Sequence, residues 1–338
     1  MRNQVFWTEK NVTRIQRAER GLYEVLVSIF LKTTLPLFLL IGLGFLARKA
    51  NLMKQGDERA LSAYVYFFAL PSLFFVNLAE TRFDRIVATF VGAGILPVVV
   101  SFFVLTLLFF VLRFSKDTYF LLVIGSVFGS HAFFGIPFVM FAFPTAEGER
   151  LATLSSGTIS IFSVIISISI LEIYQLSREQ RPSVVKAVSR VALRLTRNPL
   201  IISIILGALI SFLHVPIPFA ISKTLHMLGG TTATVAIFML GVFFYGREYK
   251  QITMAFGISL LRMIFVPLIA VGTVAVLGLG SLESSVVVLM SAMPMAISMV
   301  VLSERYQFHQ ELIASVILVS SILGGLYLNG WLAVLNMR

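Results

Sequence analysis

The sequence contains no cysteine. That excludes a disulfide framework, an iron–sulfur cluster and thiol chemistry. Charge is scarce as well: Asp, Glu, Lys and Arg make up 13% of the 338 residues, against about 25% in ordinary soluble domains. A soluble fold of this length needs more polar surface than that. Nucleotide-binding loops, catalytic triads and the H-E-x-x-H metal spacing are missing too. No enzyme activity, cofactor or metal is therefore expected. An intramembrane enzyme would need paired catalytic residues at depth, where only His131 is available. Residues 1–24 are polar and of mixed charge, without the short apolar core and small-residue cleavage site of a signal peptide.

What the chain has in abundance is apolar sequence, 58% of all residues. It is arranged in recurring runs, each about long enough to cross a bilayer core of roughly 30 Å. Lipid offers the backbone no hydrogen-bond partner, so such runs are helices. A barrel would instead show short alternating strands. The expected fold is all-α and integral to the membrane. Ten spans are expected, near 26–47, 60–79, 86–112, 118–143, 151–176, 198–213, 224–245, 252–279, 285–302 and 312–335. Span six is short and is expected to continue a little at one end.

The segment 177–197 divides these into five and five, giving an N-terminal tail (1–24), a first repeat (25–176), a basic connection (177–197) and a second repeat (198–338). In the connection Val184, Val185, Val188, Val191, Ala192 and Leu195 recur at near-helical spacing, which suits a helix lying along the membrane surface.

The net charge of +11 sits mostly in short loops, a pattern of membrane orientation rather than of nucleic-acid binding. With the connection in the cytoplasm, that side holds Arg48, Lys49, Lys54, Arg59, Arg113, Lys116, Arg247, Lys250, Arg305 and the connection's six basic residues. The other side holds Arg82, Arg85, Arg150, Lys223 and Arg338. Both termini are then outside, and only the basic N-terminal tail runs against the rule.

The two halves match weakly. Pro36 and Pro199 are each followed by Leu, with Gly44 and Gly207 at the same distance beyond them. Pro97 pairs with Pro267, and Pro137 with Pro294. Five is odd, so the second half lies inverted relative to the first, an architecture common among secondary transporters. Pro137 and Pro294 fall near the middle of spans four and nine, after small residues. Proline interrupts a helix and suits the first residue of a new one. The expectation is two half-helices in each span, starting near Pro137 and Pro294, with free N–H groups at Phe138, Val139, Met295 and Ala296. Two such positive ends meeting from opposite sides favour an anion. The carbonyls ending the first halves suit a cation or proton donor instead. A plain proline kink is the other reading.

The stretches TLPLFLLIGLGFLARKANLM, LSAYVYFFALPSLFF, RNPLIISIILGALIS, TATVAIFMLG and SAMPMAISMVVLSERY, in that order, resemble the auxin efflux carrier family, which includes bacterial malate and malonate permeases. The resemblance covers about residues 30–335. It implies two inverted five-helix bundles with crossed broken helices in spans four and nine. It also implies organic-anion transport by an elevator-like movement. Where the family often reads G-N-x-G before the span-four proline, this chain has Gly129, Ser130, His131 and Ala132. Substrate preference therefore does not carry over.

The residues expected to bind substrate are Ser130, His131, Gly135, Pro137, Phe138, Pro294, Met295 and Ser298. An ionisable residue within a span is a functional candidate. His131 could touch the anion, carry a coupling proton, or be a neutral buried side chain. Arg262 and Glu172 are candidate coupling or structural charges. Arg262 is expected to snorkel to the cytoplasmic surface. The expected partners are a small organic anion, a proton in the coupled case and the lipid of a bacterial inner membrane. A second copy of the chain is compatible with the fold. Sodium coupling is disfavoured, because the spans lack a deep cluster of acidic or amide side chains.

Overall fold

In the computed structural model, residue 27 and residues 30–82, 84–176 and 184–336 are described. The N-terminal tail and residues 177–183 of the connection lie outside them. The described residues fold into helices: α1 (Leu35–Lys49), α2 (Asp57–Ala79), α3 (Arg85–Leu112), α4 (Lys116–Val127), α5 (His131–Ala142) and α6 (Ala146–Leu176) in the first half. The connection carries α7 (Val184–Thr196). The second half continues with α8 (Pro199–Phe212), α9 (Phe219–Phe244), α10 (Ile252–Leu277), α11 (Ser281–Ser291), α12 (Met299–Tyr306) and α13 (Gln310–Asn336). Among the described residues, six helices are long and apolar enough to cross a membrane: α2, α3, α6, α9, α10 and α13.

Helix ends follow local chemistry. Asp84 caps α3 by accepting from Val87 N, and Ser115 caps α4 by accepting from Thr118 N. Asn198 caps α8 in the same way, with Pro199 as the first helical residue. The expected continuation of span six is therefore corrected: α8 is 14 residues, closed at its start by Asn198 and followed by His214 at positive φ.

Prolines do not break most of these helices. A π-helical turn precedes Pro36 (Phe30–Thr34), Pro71 (Val65–Ala69), Pro137 (His131–Gly135) and Pro267 (Leu261–Phe265). Widening the turn moves the upstream carbonyl away from the ring, and the missing N–H is absorbed by the shifted ladder. Buried hydroxyls likewise bond back to their own helix, as Ser101 Oγ does to Pro97 O and Ser259 Oγ to Ala255 O.

The helices pack in two groups. In one, α1 lies along α9 and α8 along α2, with α9 also touching α2. In the other, α3 and α10 contact each other; α3 also meets α4 and α6, and α10 meets α11 and α13. Small residues set the closest approaches. A Cβ on Gly44 would overlap Phe238 O, and one on Gly241 would overlap Ile41 O, so the backbones of α1 and α9 touch. Gly207 of α8 faces α2 in the corresponding way, its Cβ position lying 2.6 Å from Phe75 O. The interrupted helices α4–α5 and α11–α12 belong to the second group, beside α6 and α13.

Candidate functional site

Two interruptions meet inside the protein. The first is residues 128–130, between α4 and α5; the second is residues 292–298, between α11 and α12. They cross as a short antiparallel pair, Gly129 opposite Met295. Ser130 N donates to Pro294 O at 2.8 Å, and Ala296 N donates to Phe128 O at 3.1 Å. Each unwound strand thus satisfies part of the other's backbone, as a buried segment without water requires. Met295 N donates to Ser320 Oγ of α13 at 3.1 Å, and Tyr327 of α13 donates to Ala292 O. Among the described residues this crossing is the one isolated strand-like pairing.

Arg262 of α10 stands in the crossing with 2% of its surface exposed. Its Nε donates to Met293 O and its Nη1 to Ser126 O. Ser126 O belongs to the last turn of α4, where the helix dipole places partial negative charge, and Met293 O lies two residues beyond the end of α11. Nη2 lies 3.4 Å from His131 Nε2. A guanidinium only donates, so a hydrogen bond between them takes Nε2 as its acceptor. Nδ1 has no hydrogen-bond partner among the described residues. Arginine at the middle of a membrane helix costs about 2.5–3.5 kcal/mol on insertion scales. A hydrogen bond to a charged group returns about 1.5–3 kcal/mol, so the two carbonyls alone can offset that cost. The expected snorkelling of Arg262 is therefore corrected. Arg262 lies in the π-helical turn Leu261–Phe265 and faces the carbonyls of Ser126 and Met293.

The breaks also lie elsewhere than expected. Pro137 is not at an interruption: the chain re-enters helix at His131, and Pro137 continues it beyond the π-helical turn. The first N–H groups of α5 are thus those of His131, Ala132 and Phe133 rather than those of Phe138 and Val139. In the second interruption Pro294 sits in the extended strand, and the N–H groups of Met295 and Ala296 are already engaged.

The crossing brings Ser130, His131, Pro294 and Met295 together. Ser298 is half-buried at the end of the second interruption. Gly135 packs against α11, its Cβ position lying 2.8 Å from Met290 Sδ, and Phe138 is fully buried. Glu172 is apart from Arg262; it is buried in α6 and accepts from Tyr306 Oη at 2.7 Å. Ser126 and Met293 also build the crossing, as do Ser320 and Tyr327, and the sequence marks none of them as a site residue. The first two act through backbone carbonyls, which leave no residue-type signal. Among the described residues no group of three or more His, Asp or Glu side chains is placed to hold a metal.

A family model described as membrane transport protein matches residues 29–332. The chain is similar to the lysosomal cholesterol signaling protein of Mus musculus, 24% identical over 320 residues, 88% of this chain and 37% of that protein. The chain thus spans well under half the length of that relative. It is similar along nearly the whole of two archaeal relatives. One is an uncharacterized transporter of Methanocaldococcus jannaschii, 21% identical over 307 residues, 88% of this chain and 96% of the relative. The other is an uncharacterized transporter of Methanothermobacter thermautotrophicus, 25% identical over 309 residues, 90% of this chain and 98% of the relative.

Proposed function

The chain belongs to the membrane transport protein family, and from that premise we propose that it is a secondary transporter of a small organic anion with its site at the crossing of the interrupted helices. The observation that carries this reading is the crossing itself, where the start of α5 and the guanidinium of Arg262 converge. Helix starts attract anions. Arg262 keeps N–H groups beyond those spent on Met293, Ser126 and His131, and a carboxylate suits their planar fork. Unwound helices near mid-membrane are where secondary transporters hold substrates.

The reading includes ten spans in two inverted repeats, with both termini outside. The glycine contacts support it, because α1 meets α9 through Gly44 as α8 meets α2 through Gly207. The two packing groups support an elevator-like movement, the crossing travelling with α3, α6, α10 and α13 against α1, α2, α8 and α9. In this scheme His131 contacts the anion or relays a proton, and Ser130 and Ser298 supply hydroxyls.

The test is a thermal-shift screen of the purified protein against dicarboxylates and aromatic carboxylates. A ligand that binds only the folded state raises its apparent stability. Saturable stabilisation by at least one anion class is the expected result; stabilisation by none across the panel sinks the anion reading. A second reading, a transport-fold receptor, is favoured by the similarity to the mouse signaling protein. Ligand binding without flux in proteoliposomes would select it.

A further inference from the structure

Two helix C-termini converge at the crossing, those of α4 and α11. A helix end leaves carbonyls without intrahelical donors and carries partial negative charge. Most of the carbonyls here are accounted for within the backbone or by α13. Val127 O accepts from Gly129 N, Phe128 O from Ala296 N, Pro294 O from Ser130 N, and Ala292 O from Tyr327 Oη. Ser126 O and Met293 O, one from each interrupted helix, are bridged by a single cationic group, the guanidinium of Arg262. Gly129 makes the room for it, since a Cβ there would overlap Nη2. In carriers built on broken helices, unwound carbonyls and half-helix C-termini are the ligands of an exchangeable coupling ion.

We propose that Arg262 is a tethered cation standing in a monovalent-cation site formed by Ser126 O and Met293 O, so that the crossing closes without an exchangeable sodium or potassium ion. The charge that joins the two interrupted helices travels with the chain. Removing the side chain exposes the site to small cations from solution, and guanidinium, which reproduces the lost donors, fits it best. Among the residues whose burial is described, Arg262 is the one buried Lys or Arg. Glu172 is engaged with Tyr306. His131 and Tyr327 are the other titratable side chains bonded at the crossing, and neither carries a fixed positive charge.

The test uses the purified full-length chain and no anionic substrate, so its failure and the failure of the transport reading are separate events. Apparent melting temperature is measured for wild type, Arg262→Ala and Arg262→Gln in guanidinium, potassium, sodium or choline chloride. Each cation is titrated to ~50 mM at constant total chloride, a range in which binding rather than denaturation dominates. Wild type is expected to melt at one temperature in all four salts. Arg262→Ala is expected to melt lower in choline and to recover at least half of the difference in guanidinium, along a saturating curve. Sodium and potassium should give smaller recoveries. A saturable stabilisation of wild type by sodium or potassium overturns the proposal. So does an Arg262→Ala protein that no cation restores beyond choline. If the alanine variant does not fold, Arg262→Gln takes its place in the same titration. Failure of both variants to fold even when extracted in guanidinium also counts against the proposal.

Discussion

Gly129 and Arg262 contend for one space: a Cβ on the glycine would overlap Nη2 of the arginine. Gly129 lies in the first interruption and Arg262 in α10, in different halves of the chain, and the crossing depends on the first lacking a side chain so that the second can reach Ser126 O and Met293 O.

Gly129→Ala should therefore displace the guanidinium from its carbonyls. Hydrogen bonds to charged groups are worth about 1.5–3 kcal/mol each, so the apparent melting temperature should fall by several degrees. Gly135→Ala should cost less, because the atom it meets is Met290 Sδ in a flexible side chain. In an Arg262→Gln background the cost of Gly129→Ala should largely vanish, a non-additivity that a double-mutant cycle measures directly. Equal costs in both backgrounds would disconnect the pair.

Tyr327→Phe removes the donor to Ala292 O while keeping the ring. A buried acceptor left without its donor costs about 1–3 kcal/mol. Lower thermal stability is expected, together with slower uptake, since the second interruption loses a tether to α13. An unchanged melting temperature would show that this contact does not hold the interruption.

Gly241→Leu should destabilise far more than Gly230→Leu, although both lie on α9. The Gly241 site meets the backbone of α1 at Ile41 O, and backbone cannot move aside. The Gly230 site has nothing within 4 Å among the described residues. Thermal melts of the two variants in parallel would check this, and similar losses would refute the close approach of α1 and α9.

His131→Ala should alter the pH dependence of uptake, because histidine is a titratable side chain and this one stands at the crossing. The ring faces the fixed charge of Arg262 across 3.4 Å, so any proton it gains is felt at the crossing. A pH profile that superimposes on wild type would remove His131 from the mechanism.

Much of this architecture is legible in the sequence. Apolar runs mark helical segments, and small residues with prolines mark the two interrupted ones. The position of the breaks is not legible from proline alone. At Pro137 a π-helical turn absorbs the ring, so the interruption retreats to Phe128, Gly129 and Ser130. At Pro294 the ring sits within the extended strand. The placement of Arg262 is hidden for a different reason. Its partners are main-chain oxygens of Ser126 and Met293, remote in sequence and silent as to residue type. Its place in span eight points to snorkelling, whereas the side chain bonds inward to carbonyls around the two interruptions. Gly44 and Gly207, by contrast, were readable as a matched pair, and each makes a close helix contact.

The most direct measurement is trans-stimulated uptake of radiolabelled malonate and benzoate by proteoliposomes holding wild type, Ser130→Val or Ser298→Leu. A carrier with its site at the crossing gives saturable, trans-stimulated uptake of at least one anion in wild type. Both variants should lose at least tenfold in uptake while melting near the wild-type temperature. Unsaturable conductance, binding without flux, or full uptake by both variants would contradict a carrier site at the crossing of the two interrupted helices.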